Sequence, residues 1–455
     1  MHSTISRGGY LPLGIALVCA FIPAAARPSF GVQLTFSKVA DTSTPVPGAA
    51  GMFFYGFYTP ALDNGRVAFF GAGEEVDGFN TVEGIYTDVT GVLTRVADTT
   101  TPLPGSFGDV TFELEPAIDG GNIVFQTFGN VDGVYLFDGS TLSVLADTST
   151  TAPGTNGQFE SFGFLSKPAM HGGQVVFLGD GPDLHSGVYR YSSGTLSTVA
   201  DSKTAVPNRM QNFEYFEFTN VATHAGRVAF VGNWFSDPGI YLSDGGSLRA
   251  VADTSMPVPG NPGDLFVDFG TAYGGVDMDA SSIVFVAASD FASGVYRYDL
   301  ETGIISTVVD DATPVPGQMD ELFQSDFTSA SVSSLGVAIA YGESRCGGFF
   351  GCSDTPFFGV YVNLDGEVAK VIAAGDLLDG RIVKRAYMGP EGFRGRQIAF
   401  WAQFDDGTEG IYVATIVPEP SVAALGLVCL PVGLMVRFAR RAKRTRYRGA
   451  VPVGT

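Results

Sequence analysis

Val39-Ala40-Asp41-Thr42-Ser43-Thr44-Pro45-Val46-Pro47-Gly48 is a stretch that this chain repeats. It returns from Val96, Leu145, Val199 and Val251, as VVDDATPVPG from Val308, and in decayed form as VIAAGDLLDG from Val371. A second marker, a Gly-Ile/Val-Tyr step, stands at Gly84, Gly133, Gly187, Gly239, Gly294, Gly359 and Gly410. The two markers share a period of roughly fifty residues, and a period of that length specifies an architecture directly. Seven units result.

Each unit reads as four strands. In the first, strand A covers about Phe53 to Leu62, B Arg66 to Gly71, C Gly84 to Asp88 and D Val92 to Ala97. Turn chemistry separates them at Asp63-Asn64-Gly65 and Val89-Thr90-Gly91, and again in unit two at Asp119-Gly120-Gly121 and Asp138-Gly139-Ser140. Four antiparallel strands, seven times, predict an all-β fold, a seven-bladed β-propeller. The seventh unit stops after strand C, whereas Val32 to Ala40 form a strand D with no unit of its own. The N-terminal strand is therefore expected to complete the last blade and close the ring, which removes the open edges.

Composition agrees. The chain has 455 residues with Gly 60, Pro 25, 12% aromatic and only 16% charged residues, a profile of short strands and tight turns. Repeats that bury one face on a neighbour can make a single large domain, so residues 27–416 read as one folded body. Net charge is -21, but seven bases (Arg437, Arg440, Arg441, Lys443, Arg444, Arg446 and Arg448) crowd into a C-terminal end without acids. Without that tail and Arg7, 18 bases face 47 acids. Such a body repels phosphates, which argues against a nucleic-acid partner.

Both ends look like targeting segments. Arg7, the apolar run Leu11 to Ile22 and Ala24-Ala25-Ala26 form a signal peptide over residues 1–26, with cleavage by signal peptidase expected after Ala26. At the other end, Val417-Pro418-Glu419-Pro420-Ser421 precedes an apolar segment, 422–436, and the basic tail, 437–448. The apolar segment predicts a short transmembrane helix, with the basic cluster on the cytoplasmic side of the inner membrane. This order, over residues 417–455, resembles the PEP-CTERM sorting signal of exported Gram-negative bacterial proteins. The ectodomain repeats are also similar to those of PEP-CTERM tandem-repeat proteins. The resemblance implies an exosortase-type membrane protease as partner, processing near Pro418, Glu419 and Pro420, and delivery to the cell surface or extracellular matrix.

Of four cysteines, Cys19 and Cys429 lie in the two apolar runs, which leaves Cys346 and Cys352 in CGGFFGC. An oxidising compartment favours a disulfide between them; the alternative, a metal pair, matches no common zinc-knuckle spacing.

The marker aspartates Asp41, Asp98, Asp147, Asp201, Asp253 and Asp310 are expected to cap their own turns, since each copy offers a metal only one carboxylate. The tyrosines of the Gly-Ile/Val-Tyr steps are expected between neighbouring sheets, their hydroxyls available for a repeated bond. His171 and His224 align with Asp63 and Asp119 as exposed A–B turn residues. No metallopeptidase, hydrolase-elbow or phosphate-loop motif is present, so no catalytic residue, cofactor or metal is assigned.

In a propeller, the D–A crossings and B–C loops share one face. The B–C loops, read as 72–83, 179–186, 232–238, 289–293 and 342–356, vary in length and carry Asp180, Asp183, His185, Trp234, Asp237, Asp290, Phe349 and Phe350. An aromatic and acidic rim suits sugars or cations. The sequence thus predicts an exported binding or structural propeller, not an enzyme, with extracellular polysaccharide as candidate partner. The competing class is a glycoside hydrolase or lyase acting on such a polymer.

Overall fold

A computed structural model of the protein describes residues 32–418, apart from 76–77, 106–109, 131, 164–165, 217–220, 236, 270–274, 319, 325–326 and 343–357. Ala24, Ala26, Cys346, Cys352, Phe349, Phe350, Glu419, Pro420, the apolar segment 422–436 and the basic tail lie outside them. All regular elements described are β-strands, and no helix among these residues is long and apolar enough to cross a membrane.

Seven antiparallel sheets follow one another along the chain. Blade 1 runs from Met52 to Asp98, blade 2 from Thr111 to Asp147, blade 3 from Ser161 to Asp201 and blade 4 from Val221 to Asp253. Blade 5 runs from Pro257 to Asp310, blade 6 from Phe327 to Ala373 and blade 7 from Leu377 to Ile416. Each second strand is a nearly unbroken apolar run, such as Gln174–Gly181 in blade 3 or Gln397–Phe404 in blade 7, because it is covered on both faces by neighbouring sheets. One apolar cluster joins blades 6, 7 and 1, and others join each remaining pair of neighbours, so the packing returns on itself as a ring.

The ring closes as the repeat arithmetic requires. The N-terminal strand, Leu34–Asp41, pairs antiparallel with the last strand, Glu409–Ile416, from Leu34 opposite Ile416 to Asp41 opposite Gly410. Phe36 meets Phe400 edge-on at 6.2 Å.

The two sequence markers face each other across the third and fourth strands. In every blade the pairing slips by one residue beside the Gly-Ile/Val-Tyr step, and the extra residue is the first of the decapeptide: Val39, Val96, Leu145, Val199, Val251, Val308 or Val371. A bulge bends and twists the outer edge. The glycine permits the close approach: a Cβ on Gly84 would stand 2.3 Å from the Ala97 carbonyl oxygen.

The aspartates cap as expected. Asp98 Oδ1 accepts the Thr100 amide at 3.0 Å and the hydroxyls of Thr100 and Thr101, while the Asp98 amide donates to Thr101 Oγ1. In the decayed copy the roles reverse, and Asp376, standing where Thr101 stands, accepts the Ala373 amide at 2.9 Å.

Two readings change. Strand A of blade 1 is two pieces, Met52–Phe57 and Ala61–Asp63, and blades 2, 3, 5 and 7 break likewise. The tyrosines lie between sheets, but the hydroxyls of Tyr86, Tyr189 and Tyr241 have no partner. Phenylalanines crowd them; Phe213, on the crossing that leads into blade 4, meets Tyr241 edge-on at 4.7 Å. Apolar burial raises these phenols above their ordinary pKa.

Candidate functional site

The break in the inner strand places polar residues at the ring axis. Lys167 of blade 3 donates to the Pro390 carbonyl of blade 7 at 2.6 Å and lies 3.4 Å from Glu391. Asp277 of blade 5 takes both arms of Arg394 of blade 7, at 3.0 and 3.3 Å. Blades 3 and 5 are not neighbours of blade 7, so these bonds span the centre. Blade 6 joins through Ser331, whose hydroxyl donates to Asp277 and accepts the Phe393 amide; Thr59 of blade 1 donates to Glu115 of blade 2. The axis is thereby plugged by charge. Burial would raise the Asp277 carboxyl, but Arg394 and the Ser331 and Val332 donors outweigh it and hold it low. Glu391 and Glu115 go the other way, pushed up by burial despite Lys167.

On the crossing face, the segments read as B–C loops are mostly hairpin ends. Strands reach Gly181 and resume at His185, reach Trp234 and resume at Asp237, and reach Ser289 and resume at Ser293. At the tips stand Phe79, Leu184, Phe235 and Phe291, in blades 1, 3, 4 and 5, each between 81% and 93% exposed. Leu184 and Phe235 adopt left-handed backbone angles, φ 59° and 46°, where bulky side chains are rare. A carboxylate stands near each tip: Glu75, Asp183, Asp237 and Asp290.

The tips are braced. Glu214 accepts the Phe235 amide at 3.1 Å, and Ser289 Oγ, which donates to Asp264, accepts the Phe291 and Ala292 amides. Between blades 1 and 2 the same face holds a cleft of about 300 Å³, walled by Tyr55, Tyr58, Phe70, Phe112 and Phe128, with Glu83 and Glu113 in its lining.

The expected site residues divide. Asp183 is exposed at a tip, and Asp237 is half-buried opposite Trp234. Asp180 is paired with Ser186 and accepts the Ser161 hydroxyl at 2.9 Å. Trp234 lies 4.9 Å beneath the Arg209 guanidinium. His185 is not on a loop: it is buried, with Nδ1 3.1 Å from Ser202 and Nε2 3.4 Å from Asp201, and braces a marker turn. These residues were expected on loops, but the hairpins extend by pairing and take most of them into strands. The apolar tips Leu184 and Phe235 went unread beside them; their signal is a large apolar residue in a two- or three-residue turn, where glycine or asparagine is usual.

Near Asp180 lies Asp132, whose carboxyl burial, and Asp180 itself, push up to about 7 against the Phe162 amide.

On the opposite face, the A–B turns of all seven blades line a second cavity, of about 270 Å³, with Asp63, Asp119, His171, His224, Asp279, Ser333 and Arg394. His171 and His224 are not free turn residues: their rings stack at 3.9 Å.

The sequence matches the family of unknown function DUF7453 over residues 31–276, 121–380 and 235–424. The chain belongs to the DUF7453 family. No curated protein matches this member. Solved structures similar to it include the β-propeller domain of the Trilobed protease from Pyrococcus furiosus, at 10% identity and TM-score 0.46, covering 79% of this chain and 95% of that one. An oligogalacturonate lyase in complex with manganese is similar at 13% identity and TM-score 0.43, covering 86% and 98%. A prolyl endopeptidase matches at 13% identity and TM-score 0.43 over 79% of this chain, which spans about half of that chain, 47%.

Proposed function

We propose that this DUF7453 protein is an exported, surface- or matrix-associated propeller that binds extracellular polysaccharide through its hairpin-tip face. One observation carries the reading: four blades each present an exposed, large apolar side chain with a carboxylate nearby, and the tips of blades 4 and 5 are braced by side-chain hydrogen bonds. Folding gains nothing from an exposed phenylalanine, and a left-handed angle at leucine or phenylalanine costs on the order of 1 kcal/mol or more. Apolar faces that stack on sugar C–H groups, with carboxylates that accept hydroxyls, suit a neutral polymer, whereas the acidic body repels anionic ones.

Export rests on the signal peptide and the Pro418-Glu419-Pro420 signal. Pro418 is exposed just past the last strand, where a membrane protease can reach it, and the chain leaves on the turn face, opposite the tips. A precursor anchored there would direct its tips away from the membrane.

Polymer pull-down with neutral glucans and a glycan array on the full chain tests the binding. The triple change Leu184→Ser, Phe235→Ser, Phe291→Ser should abolish retention at unchanged melting temperature, and undiminished retention would reject the tips as the site. Mass spectrometry of exported material should show a chain ending near Pro418; an intact Arg-rich tail would point to a permanent anchor.

One observation favours the enzymatic alternative. A carboxyl held near neutrality beside a second one, as Asp132 is beside Asp180, is what a general acid in glycoside chemistry requires. Reducing-sugar release that is lost in Asp132→Asn and Asp180→Asn would establish that reading instead.

A further inference from the structure

The turn-face cavity is blind. Its floor is the axial plug, where Arg394 is already bound bidentately by buried Asp277, so its charge is neutralised before any ligand arrives. One wall carries the stacked His171 and His224; Met170 and Met278 add apolar surface. His224 lies below its ordinary pKa, through burial first and His171 second, and so favours the uncharged ring that can accept a hydrogen bond.

The carboxylates are fixed from outside the cavity. Asp63 Oδ2 accepts the Gly120 amide of the next blade at 2.9 Å, and Asp119 Oδ2 accepts the Gly172 amide at 2.8 Å. Asp279 Oδ1 is taken by its own turn, from the Ser281 and Ser282 amides. Each side chain therefore keeps one oxygen unused by these bonds, that of Asp119 lying 3.8 Å from His171 Nδ1, and carboxylate oxygens accept. A pre-set acceptor array, an apolar wall and a neutralised cation together select a compact donor-rich cation.

We propose that this cavity is a second ligand site, distinct from the hairpin tips, that takes a primary ammonium on a small body, such as an amino sugar or a short diamine. Its volume admits about one sugar ring, and its closed floor admits the end of a chain and not a strand passing through. An ammonium offers three donors to carboxylate oxygens that reach it from different blades.

Calorimetry on the full chain with glucosamine disaccharide, its N-acetylated form and putrescine tests this. The ammonium forms should bind, and the acetylated disaccharide at least tenfold more weakly. Asp63→Asn and Asp119→Asn should each lower amine affinity about tenfold, the scale of one charge-assisted bond. Both should keep the wild-type melting temperature, because the amide oxygen still accepts Gly120 or Gly172. Binding by putrescine alone would identify free amines as the source, and binding by the disaccharide alone would identify the sugar; both support the site. Equal affinity for the acetylated disaccharide, or an Asp63→Asn/Asp119→Asn double variant that binds as wild type, would overturn it. The Leu184→Ser, Phe235→Ser, Phe291→Ser variant should keep amine binding, so this site and the tip site can fail separately.

Discussion

Asp277 and Arg394 illustrate how single residues here carry long-range duties. The aspartate is 1% exposed, and its charge is tolerable only because a guanidinium, a hydroxyl and an amide all meet it. Arg394→Ala is expected to cost about 3–5 kcal/mol by chemical denaturation, because it strands a buried charge. Arg394→Ala/Asp277→Asn should recover part of that, and equal stability of the single and double variants would mean the charge is solvated. The marker aspartates have a different acid response. Burial opposes ionisation of Asp41, but Lys38 and the Ser43 donors overcome it and bring its pKa from 3.8 to about 2. A depressed carboxyl stabilises the fold fully above the unfolded value and loses that contribution as pH falls through the folded one. Asp41→Asn should therefore flatten the melting-temperature profile between about pH 4 and pH 2, and an unchanged acid slope would exclude Asp41 as a source. Glu391 has the opposite sign: with its pKa raised above 4.5, its contribution declines as pH rises from there, so Glu391→Gln should remove a loss on the neutral side.

At the scale of strands, the bulge beside each Gly-Ile/Val-Tyr step makes its glycine irreplaceable, whereas a glycine away from such a step is dispensable. A Cβ on Gly359 would stand 2.3 Å from the Ile372 carbonyl oxygen and 2.7 Å from Ala373 Cα, backbone atoms that cannot rotate away, whereas one on Gly263 would meet only Asn261 Oδ1 at 4.0 Å. Gly359→Ala should destabilise by about 1–3 kcal/mol, and Gly263→Ala by less than about 0.5 kcal/mol, in urea titrations. Equal costs would detach the glycine from the bulge. The same strands explain what the sequence made legible. Strands B, C and D, the capped turn and the closing strand Leu34–Asp41 each depend on neighbours a few residues away or on a repeating period, so one copy interprets the next. The break in strand A repeats only in part: a proline recurs at Pro60, Pro116 and Pro168 in blades 1 to 3, but the residue before it is Thr59, Glu115 or Lys167 and blade 7 reads Gly389-Pro390-Glu391, because each copy faces a different partner at the axis. Lys167 and Pro390 are 223 positions apart, and nothing local in either announces the other. The repeat puts the B–C hairpins and the crossings on one face, but the apolar residues at the tips and the convergence of His171 with His224 depend on the hairpin lengths and the ring.

For the molecule as a whole, the last blade is secured twice: by the N-terminal strand at its outer edge and by the axial plug at its inner one. Tandem arrays with only nearest-neighbour contacts unfold piecemeal, whereas a ring with bonds across its centre should melt as one unit. The two tryptophans allow a direct test, because Trp234 lies in blade 4 and Trp401, 3% exposed and donating to Glu409 at 3.0 Å, lies in blade 7. Single-tryptophan variants, Trp401→Phe and Trp234→Phe, should give coincident fluorescence transitions in denaturant. Removing residues 32–41 bares the edge of Glu409–Ile416 and leaves blade 7 without its outer strand. In that background the Trp401 transition should move to lower denaturant ahead of Trp234, and adding Arg394→Ala should widen the gap by more than the sum of the separate effects, because both fastenings hold the same blade. Coincident transitions after truncation, or strictly additive effects, would show that the plug and the closing strand act independently of one another.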